Sequence, residues 1–150
     1  KGLASFGGAQ RRMQFKGTYN GADIFDDYAH HPDELAATLA AVRTLDYKRV
    51  VVAFQPHTYT RTAALKDDFA KALSFADEVI LADIFAAREK NEIGIDSSVI
   101  AEKLPNSRYI KSFDEILDIL SSEISETDFV LTMGAGDIFK VAHIILEKLG

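Results

Sequence analysis

The chain has 150 residues, of which 47% are hydrophobic, and its formal net charge is −6. This length suits one domain with a sizeable core, and the acidic balance argues against a general nucleic-acid or membrane-surface role, which needs basic surface. The absence of cysteine excludes disulfides and thiolate zinc sites, and it agrees with a cytoplasmic location.

The N-terminal part of the sequence predicts a β-hairpin after an irregular lead-in. Residues 1–12 contain a flexible Gly7-Gly8 pair and show no periodic pattern. Residues 13–19 and 22–26 have strand-like patterns. These two stretches flank Asn20-Gly21, and Asn-Gly in this position is the strongest short-range signal for a hairpin.

Strand and helix patterns alternate after the hairpin. Apolar runs, typical of strands buried on both faces, and one shorter run predict strands at 50–54, 79–82, 108–110 and 129–132. Apolar residues at helical spacing predict helices at 32–44, 62–75 and 97–103. A fourth helix is predicted to begin after Ser112, which caps it while Glu115 completes a capping box, and a fifth is predicted to end near Leu149. We therefore expect a single α/β domain over residues 1–150, with a Rossmann-like three-layer fold, a mainly parallel sheet of about six strands and an N-terminal β-hairpin.

Side chains suited to binding and catalysis follow the predicted strands. They are Asp26, Asp27, Tyr28, His30 and His31 after the hairpin, Gln55, His57, Tyr59 and Arg61 after the next strand, Asp83, Arg88 and Glu89 after the third, and the turn at 134–137. The carboxyl ends of parallel strands meet at one edge of the sheet. We therefore expect these side chains to converge on one crevice, where α/β folds bind their ligands.

Each of these residues also has a purely structural interpretation. Either aspartate of the 26–27 pair can cap its loop or the following helix, and either neighbouring histidine can bond backbone carbonyls. Arg61 fits a structural role less well, because a cation is unfavourable at a helix N-terminus, and this favours a binding role. We interpret Arg88-Glu89-Lys90 as a solvated run rather than as part of a site.

The turn Gly134-Ala135-Gly136-Asp137 precedes the last predicted helix. Glycines in such a turn allow backbone amides to approach an anion, such as a carboxylate or a phosphate, at the helix N-terminus. The sequence contains no phosphate loop of the form G-x-x-x-x-G-K-(S/T). If a nucleoside triphosphate is used, most of its phosphate cradle must therefore come from another domain.

Two motifs carry a family resemblance. The run Asp27-Tyr28-Ala29-His30-His31-Pro32, followed by Gln55-Pro56-His57-Thr58-Tyr59-Thr60-Arg61-Thr62, resembles the C-terminal domain of the Mur ligases, and the second motif narrows the resemblance to the members that add alanine. The stretches 83–89 and 134–137 also match, so that the resemblance covers essentially the whole chain. Two positions depart from the family: Thr58 stands where many relatives carry arginine, and Phe85 stands where tyrosine is common.

The resemblance implies that the chain is the C-terminal lid of an ATP-dependent ligase of the bacterial cytoplasm. That ligase would join L-alanine to UDP-N-acetylmuramate through an acyl phosphate, in peptidoglycan synthesis. Its partners would be its own N-terminal domain and a central ATPase domain, which would hold most of the ATP and Mg²⁺. Residues 1–12 would be the linker from that central domain, and the isolated chain is expected to be inactive.

The resemblance also implies roles for individual residues. The implied catalytic residues are His30, His57 and Arg61. His30, together with Tyr28, would face the reacting phosphate and acyl group, whereas His57 and Arg61 would face the acyl phosphate and the incoming amino acid. Asp27 and Tyr28 would contact ATP. The implied substrate-binding residues are Tyr28, His30, His57, Arg61, Gly134, Ala135 and Gly136. No residue of this chain is expected to bind a metal.

Two other classes of protein stay open from the residues alone. A non-catalytic, nucleotide- or magnesium-binding receiver-like module would share the alternation of strands and helices and the acidic pair Asp26-Asp27. Such modules carry a lysine after the last strand, where this chain has Met133-Gly134. A divalent-metal hydrolase would use His30, His31, His57 and Asp83, although no His-x-x-x-His spacing supports it.

Overall fold

The computed structural model describes residues 13–149. The predicted linker at 1–12 therefore lies outside the described residues. Within the described range, no helix combines the length and the apolar character that crossing a bilayer requires.

Within the part of the chain that the structure describes, six strands form one sheet, as the sequence predicts. They are β1 (Gln14–Tyr19), β2 (Ala22–Asp27), β3 (Arg49–Phe54), β4 (Glu78–Leu81), β5 (Ser107–Tyr109) and β6 (Asp128–Met133). Their order across the sheet is β1-β2-β6-β3-β4-β5. Only the β1–β2 pair is antiparallel, and the other four pairs are parallel. The mainly parallel sheet and the N-terminal hairpin are both confirmed.

The hairpin turn has the backbone conformation that its sequence predicts. Asn20 and Gly21 have φ angles of 54° and 81°. Positive φ at both central residues is the mark of a type I′ turn, whose twist matches that of the flanking strands.

Among the described residues, four helices connect the strands and a fifth follows β6. They are α1 (Pro32–Val42), α2 (Tyr59–Leu73), α3 (Ser98–Ala101), α4 (Phe113–Glu123) and α5 (Phe139–Ile144), the last continuing as a π-helical turn at Ile145–Leu149. Ser112 caps α4 as predicted, because its Oγ accepts hydrogen bonds from the amides of Asp114 and Glu115 at 3.1 and 3.5 Å. The predicted start of α2 at residue 62 is wrong, because the helix begins three residues earlier, at Tyr59.

The core consists of two apolar layers, one on each face of the sheet. Strand β3 supplies both: Val50 and Val52 belong to the layer under α1 and α2, whereas Val51 and Ala53 belong to the layer under α4 and α5. Successive side chains of a strand point to opposite faces, so an unbroken apolar run is buried on both sides. This accounts for the three-layer architecture and places the loops after β2, β6, β3 and β4 side by side.

Candidate functional site

Backbone hydrogen bonds join the loops at the carboxyl edge of the sheet. The amide of Gly134 donates to the carbonyl of Asp27 at 3.1 Å, and the amide of Gln55 donates to the carbonyl of Met133 at 3.0 Å. These bonds continue the strand pairing beyond β2, β6 and β3. Backbone hydrogen bonds alone therefore hold together loops that are distant in the sequence.

Asp26 and Asp27 are both fully buried at this edge. Asp26 Oδ1 accepts a hydrogen bond from Thr132 Oγ1 at 2.6 Å. Asp27 accepts from the amide of Ala29 at 2.8 Å and from Thr38 Oγ1 at 3.1 Å. The two carboxylates thus fix the loop to β6 and to α1. The expected contact between Asp27 and ATP stays a prediction, and it would require the loop to open because Asp27 has no exposed surface.

The buried pair also weakens the receiver-like interpretation. Such a module binds magnesium through carboxylates that solvent and the ion can reach, whereas Asp26 and Asp27 are 0% exposed. A magnesium ion keeps several of its waters and needs room for them. The buried pair leaves no such room.

Tyr28 and His30 project from the loop that Asp27 holds. Tyr28 is 41% exposed, and its ring meets that of His30 edge-on, with 5.3 Å between the centroids. Glu34 Oε1 accepts hydrogen bonds from the amides of His30 and His31 at 3.1 and 3.2 Å, which orders the start of α1. His31 itself is exposed, so it does not join the inner cluster.

His57 lies between His30 and Phe85, a residue of the loop after β4. The centroids of the two imidazoles are 5.8 Å apart, and the His57 ring stacks on Phe85 at 5.6 Å. Burial lowers the pKa of His57, electrostatic interactions with His30 and Arg61 lower it further, and Glu89 opposes them. Its Nδ1 is buried and has no hydrogen-bond partner among residues 13–149. The His57 imidazole is therefore neutral near pH 7 and able to accept a proton.

Arg61 stands in the first turn of α2, half-buried and close enough to His57 to affect its pKa. Among residues 13–149, no carboxylate forms an ion pair with its guanidinium. The first turn of α2 also contains no acidic residue. A cation held at a helix N-terminus without a partner carboxylate favours an anionic ligand.

The glycine turn after β6 packs against the loop that carries His57. A Cβ on Gly134 would lie 2.8 Å from the carbonyl oxygen of Gln55, and one on Gly136 would lie 2.5 Å from Gln55 Oε1 and 2.6 Å from Phe85 Cγ. Both glycines are thus required by close packing. The expected contact of Gly134, Ala135 and Gly136 with the amino acid stays a prediction.

Two residues have roles that the sequence did not reveal. Gln55 is only 4% exposed; its Nε2 donates to Asp137 Oδ1 at 2.8 Å, and its Oε1 accepts from the amide of Ile138 at 3.1 Å. Glu89 accepts hydrogen bonds from the amides of Tyr59 and Thr60. The interpretation of Arg88-Glu89-Lys90 as a solvated run is therefore wrong for Glu89. The one feature of the sequence that indicated a cap from elsewhere was the lack of an acidic residue in the first turn of α2.

The four residues named for a metal hydrolase do not form one cluster, although His30 and His57 are neighbours. Within the described part of the chain, no group of three or more histidines and carboxylates could hold a metal ion. Asp83 is engaged instead by the hydroxyl of Tyr109 at 2.9 Å. A groove of about 500 Å³ between α1 and α2 includes His31 in its wall but not His57 or Arg61. The chemical groups therefore cluster at the sheet edge and not in that groove.

Known proteins resemble this chain over nearly its full length. UDP-N-acetylmuramate–L-alanine ligase from Agathobacter rectalis is 50% identical over 98% of the chain, and that from Clostridium novyi is 44% identical over 98%. The chain spans only 33% of each of these relatives.

Solved structures agree with the fold. UDP-N-acetylmuramate-alanine ligase from Thermotoga maritima matches with a TM-score of 0.73 and 27% identity, over 93% of this chain and 30% of that one. A murein peptide ligase from Psychrobacter arcticus matches with a TM-score of 0.78 over 99% of this chain and 32% of that one, and its 24% identity supports the fold alone. The sequence profile described as Mur ligase, glutamate ligase domain, matches residues 11–136. The chain therefore belongs to the Mur ligase family and corresponds to the C-terminal domain of these ligases.

Proposed function

We propose that this domain is the lid of an ATP-dependent ligase that joins L-alanine to UDP-N-acetylmuramate, through an acyl phosphate, in peptidoglycan synthesis. Relatives that are 44–50% identical to the chain carry the name of that ligase. The observation that carries the proposal is the juxtaposition of Arg61, which has no ion pair among the described residues, with the His57–His30 pair at the carboxyl edge of the sheet.

The chemistry of these side chains suits acyl-phosphate aminolysis. Transfer of a phosphoryl group and attack on the acyl phosphate both build negative charge on oxygen atoms, and Arg61 would stabilise that charge. An amino acid arrives as an ammonium ion and must lose a proton before it attacks a carbonyl carbon. The neutral imidazole of His57 is suited to accept that proton, and Tyr28 and His30 would close the site against water.

The residues at this edge fit the anionic reactants but not the magnesium ion. The carboxylates of Asp26 and Asp27 are buried and accept hydrogen bonds from within the fold, and the described residues hold no metal-binding cluster. We therefore assign Mg²⁺, together with most of the ATP phosphate cradle, to the central domain of the whole enzyme.

The test is phosphate release by the full-length enzyme in the presence of ATP, UDP-N-acetylmuramate and one amino acid at a time. We expect L-alanine to give the highest kcat/KM, above glycine, L-serine and D-glutamate. Turnover with D-glutamate but not with L-alanine would refute the proposal. The 150-residue chain alone serves as a control, and it should release no phosphate because it contains no phosphate loop.

A further inference from the structure

The first turn of α2 is poorly capped by its own residues. Thr58, the N-cap residue, has a φ of 69°, a left-handed conformation that is strained for a β-branched side chain. Its Oγ1 lies 3.4 Å from the amide of Arg61, which is a long hydrogen bond. The turn also lacks the acidic residue that commonly stabilises a helix N-terminus.

Glu89 supplies the missing cap from another loop. Its Oε1 accepts hydrogen bonds from the amides of Tyr59 at 2.7 Å and Thr60 at 3.1 Å, and its Oε2 accepts from Thr60 Oγ1 at 2.5 Å. The hydrogen bond from the Thr60 hydroxyl lowers the pKa of Glu89. The residue is therefore ionised near pH 7 and places a negative charge at the positive end of the helix.

The backbone of the same loop holds the residues that precede α2. The amide of Phe85 donates to the carbonyl of Pro56 at 2.9 Å, and the amide of Thr58 donates to the carbonyl of Phe85 at 2.8 Å. The Phe85 ring stacks on His57 between these bonds. The segment from Phe85 to Glu89 is therefore attached to the segment from Pro56 to Thr60 at both of its ends.

From this arrangement we infer that Glu89 is a positioning residue for Arg61. Arg61 directly follows the two residues that Glu89 binds, and no ion pair between Glu89 and Arg61 forms. Glu89 thus fixes the backbone from which Arg61 projects without neutralising its guanidinium. The inference rests on the proposed function, because it assigns Glu89 to the reaction that Arg61 serves.

A double-mutant cycle in the full-length enzyme tests the inference. Glu89→Ala should cut kcat/KM at least about tenfold in the parent, but less than about twofold in the Arg61→Ala background, because a residue acting through Arg61 has nothing left to position. Glu89→Gln keeps an oxygen acceptor for both amides and should stay within about threefold of the parent. The matched control is Glu92→Ala, which changes a carboxylate of the same loop that makes no side-chain hydrogen bond among the described residues. Equal losses from Glu89→Ala in both backgrounds would overturn the inference.

Hydrogen exchange gives a readout that is independent of the substrate. In Glu89→Ala, amide exchange in the peptide covering residues 57–65 should accelerate at least about tenfold, as expected when a capped turn opens locally, whereas Glu92→Ala should leave it unchanged. If exchange in that peptide is the same in Glu89→Ala as in the parent, Glu89 does not position the turn, whichever amino acid the enzyme uses. If L-alanine is not a substrate but exchange accelerates, the proposed function fails while the role of Glu89 stands.

Discussion

Gln55 and Asp137 connect two loops that are 82 residues apart in the chain, through a hydrogen bond of 2.8 Å between Nε2 and Oδ1. The other end of the Gln55 amide accepts from the amide of Ile138 at 3.1 Å. One buried side chain therefore satisfies both a carboxylate and a backbone amide at the turn after β6. This fixes the glycine turn against the loop that carries His57.

Gln55→Leu should destabilise the chain by about 2 kcal/mol. Leucine has a similar size but leaves the buried amide of Ile138 without a partner, and an unsatisfied buried donor costs roughly 1–3 kcal/mol. Urea unfolding of the two proteins measures the difference. In an Asp137→Ala background the same change should cost less, because one of the two lost bonds is already absent. Full additivity would show that the two side chains are not coupled.

Gly136→Ala should cost about 2–3 kcal/mol of unfolding free energy. The added methyl would meet Gln55 Oε1 at 2.5 Å and Phe85 Cγ at 2.6 Å, and overpacking of this kind costs roughly 1–3 kcal/mol. Gly94→Ala is the control, because an added Cβ there meets no described residue within 4 Å and the only cost is the φ of +75°, about 1 kcal/mol. Urea unfolding decides, and a smaller loss at Gly136 than at Gly94 would contradict the packing argument.

The sequence predicts the sheet well because the signal for a doubly buried strand is local. The apolar run from Val50 to Phe54 contains both core layers in consecutive residues, and Asn20-Gly21 specifies its own turn. The start of α2 could not be predicted in the same way. Part of its cap comes from Glu89, which lies 30 residues beyond Tyr59, and the local pattern indicates this only by the lack of an acidic residue in the first turn of α2.

The candidate site shows the same division. The neighbourhood of His30 and His57 follows from the rule that parallel strands end at one edge, and the two rings are 5.8 Å apart. The sequence could not show which polar side chains form hydrogen bonds inside the fold. Its pattern predicts Asp27 as a ligand-binding residue, whereas in the structure Asp27 is buried and accepts a hydrogen bond from Thr38. That partner is brought close only when α1 packs against the sheet.

His57 should titrate below the usual histidine pKa of about 6.5. Burial is the largest cause, followed by the electrostatic interaction with His30 and then that with Arg61, while Glu89 acts in the opposite direction. NMR titration of its ring should therefore show a pKa that rises in Arg61→Ala and falls in Glu89→Ala. Shifts in the same direction for both variants would contradict this assignment of charges.

The lowered pKa of His57 also has a consequence for stability. Between the folded pKa and about pH 6.5, the unfolded chain binds more protons at this residue than the folded chain does. The contribution of His57 is therefore fully present above about pH 6.5 and is lost as the pH falls toward the folded pKa. Replacing His57 by glutamine should flatten the pH dependence of the unfolding free energy in that window, and an unchanged slope would show that another group sets it.

Arg61→Ala in the full-length enzyme should lower kcat/KM by about 100-fold or more, which corresponds to about 2.7 kcal/mol of transition-state stabilisation. Arg61 has no ion pair among the described residues, so under the proposed function its charge would act on the anionic reactants. Thr58 offers no second guanidinium in this motif. The thermal midpoint should change little, because the side chain is half-buried and outside both core layers. Arg88→Ala, an exposed arginine of the neighbouring loop, is the control and should stay within about twofold of the parent. If Arg61→Ala is folded and also stays within about twofold, Arg61 does not serve the reaction.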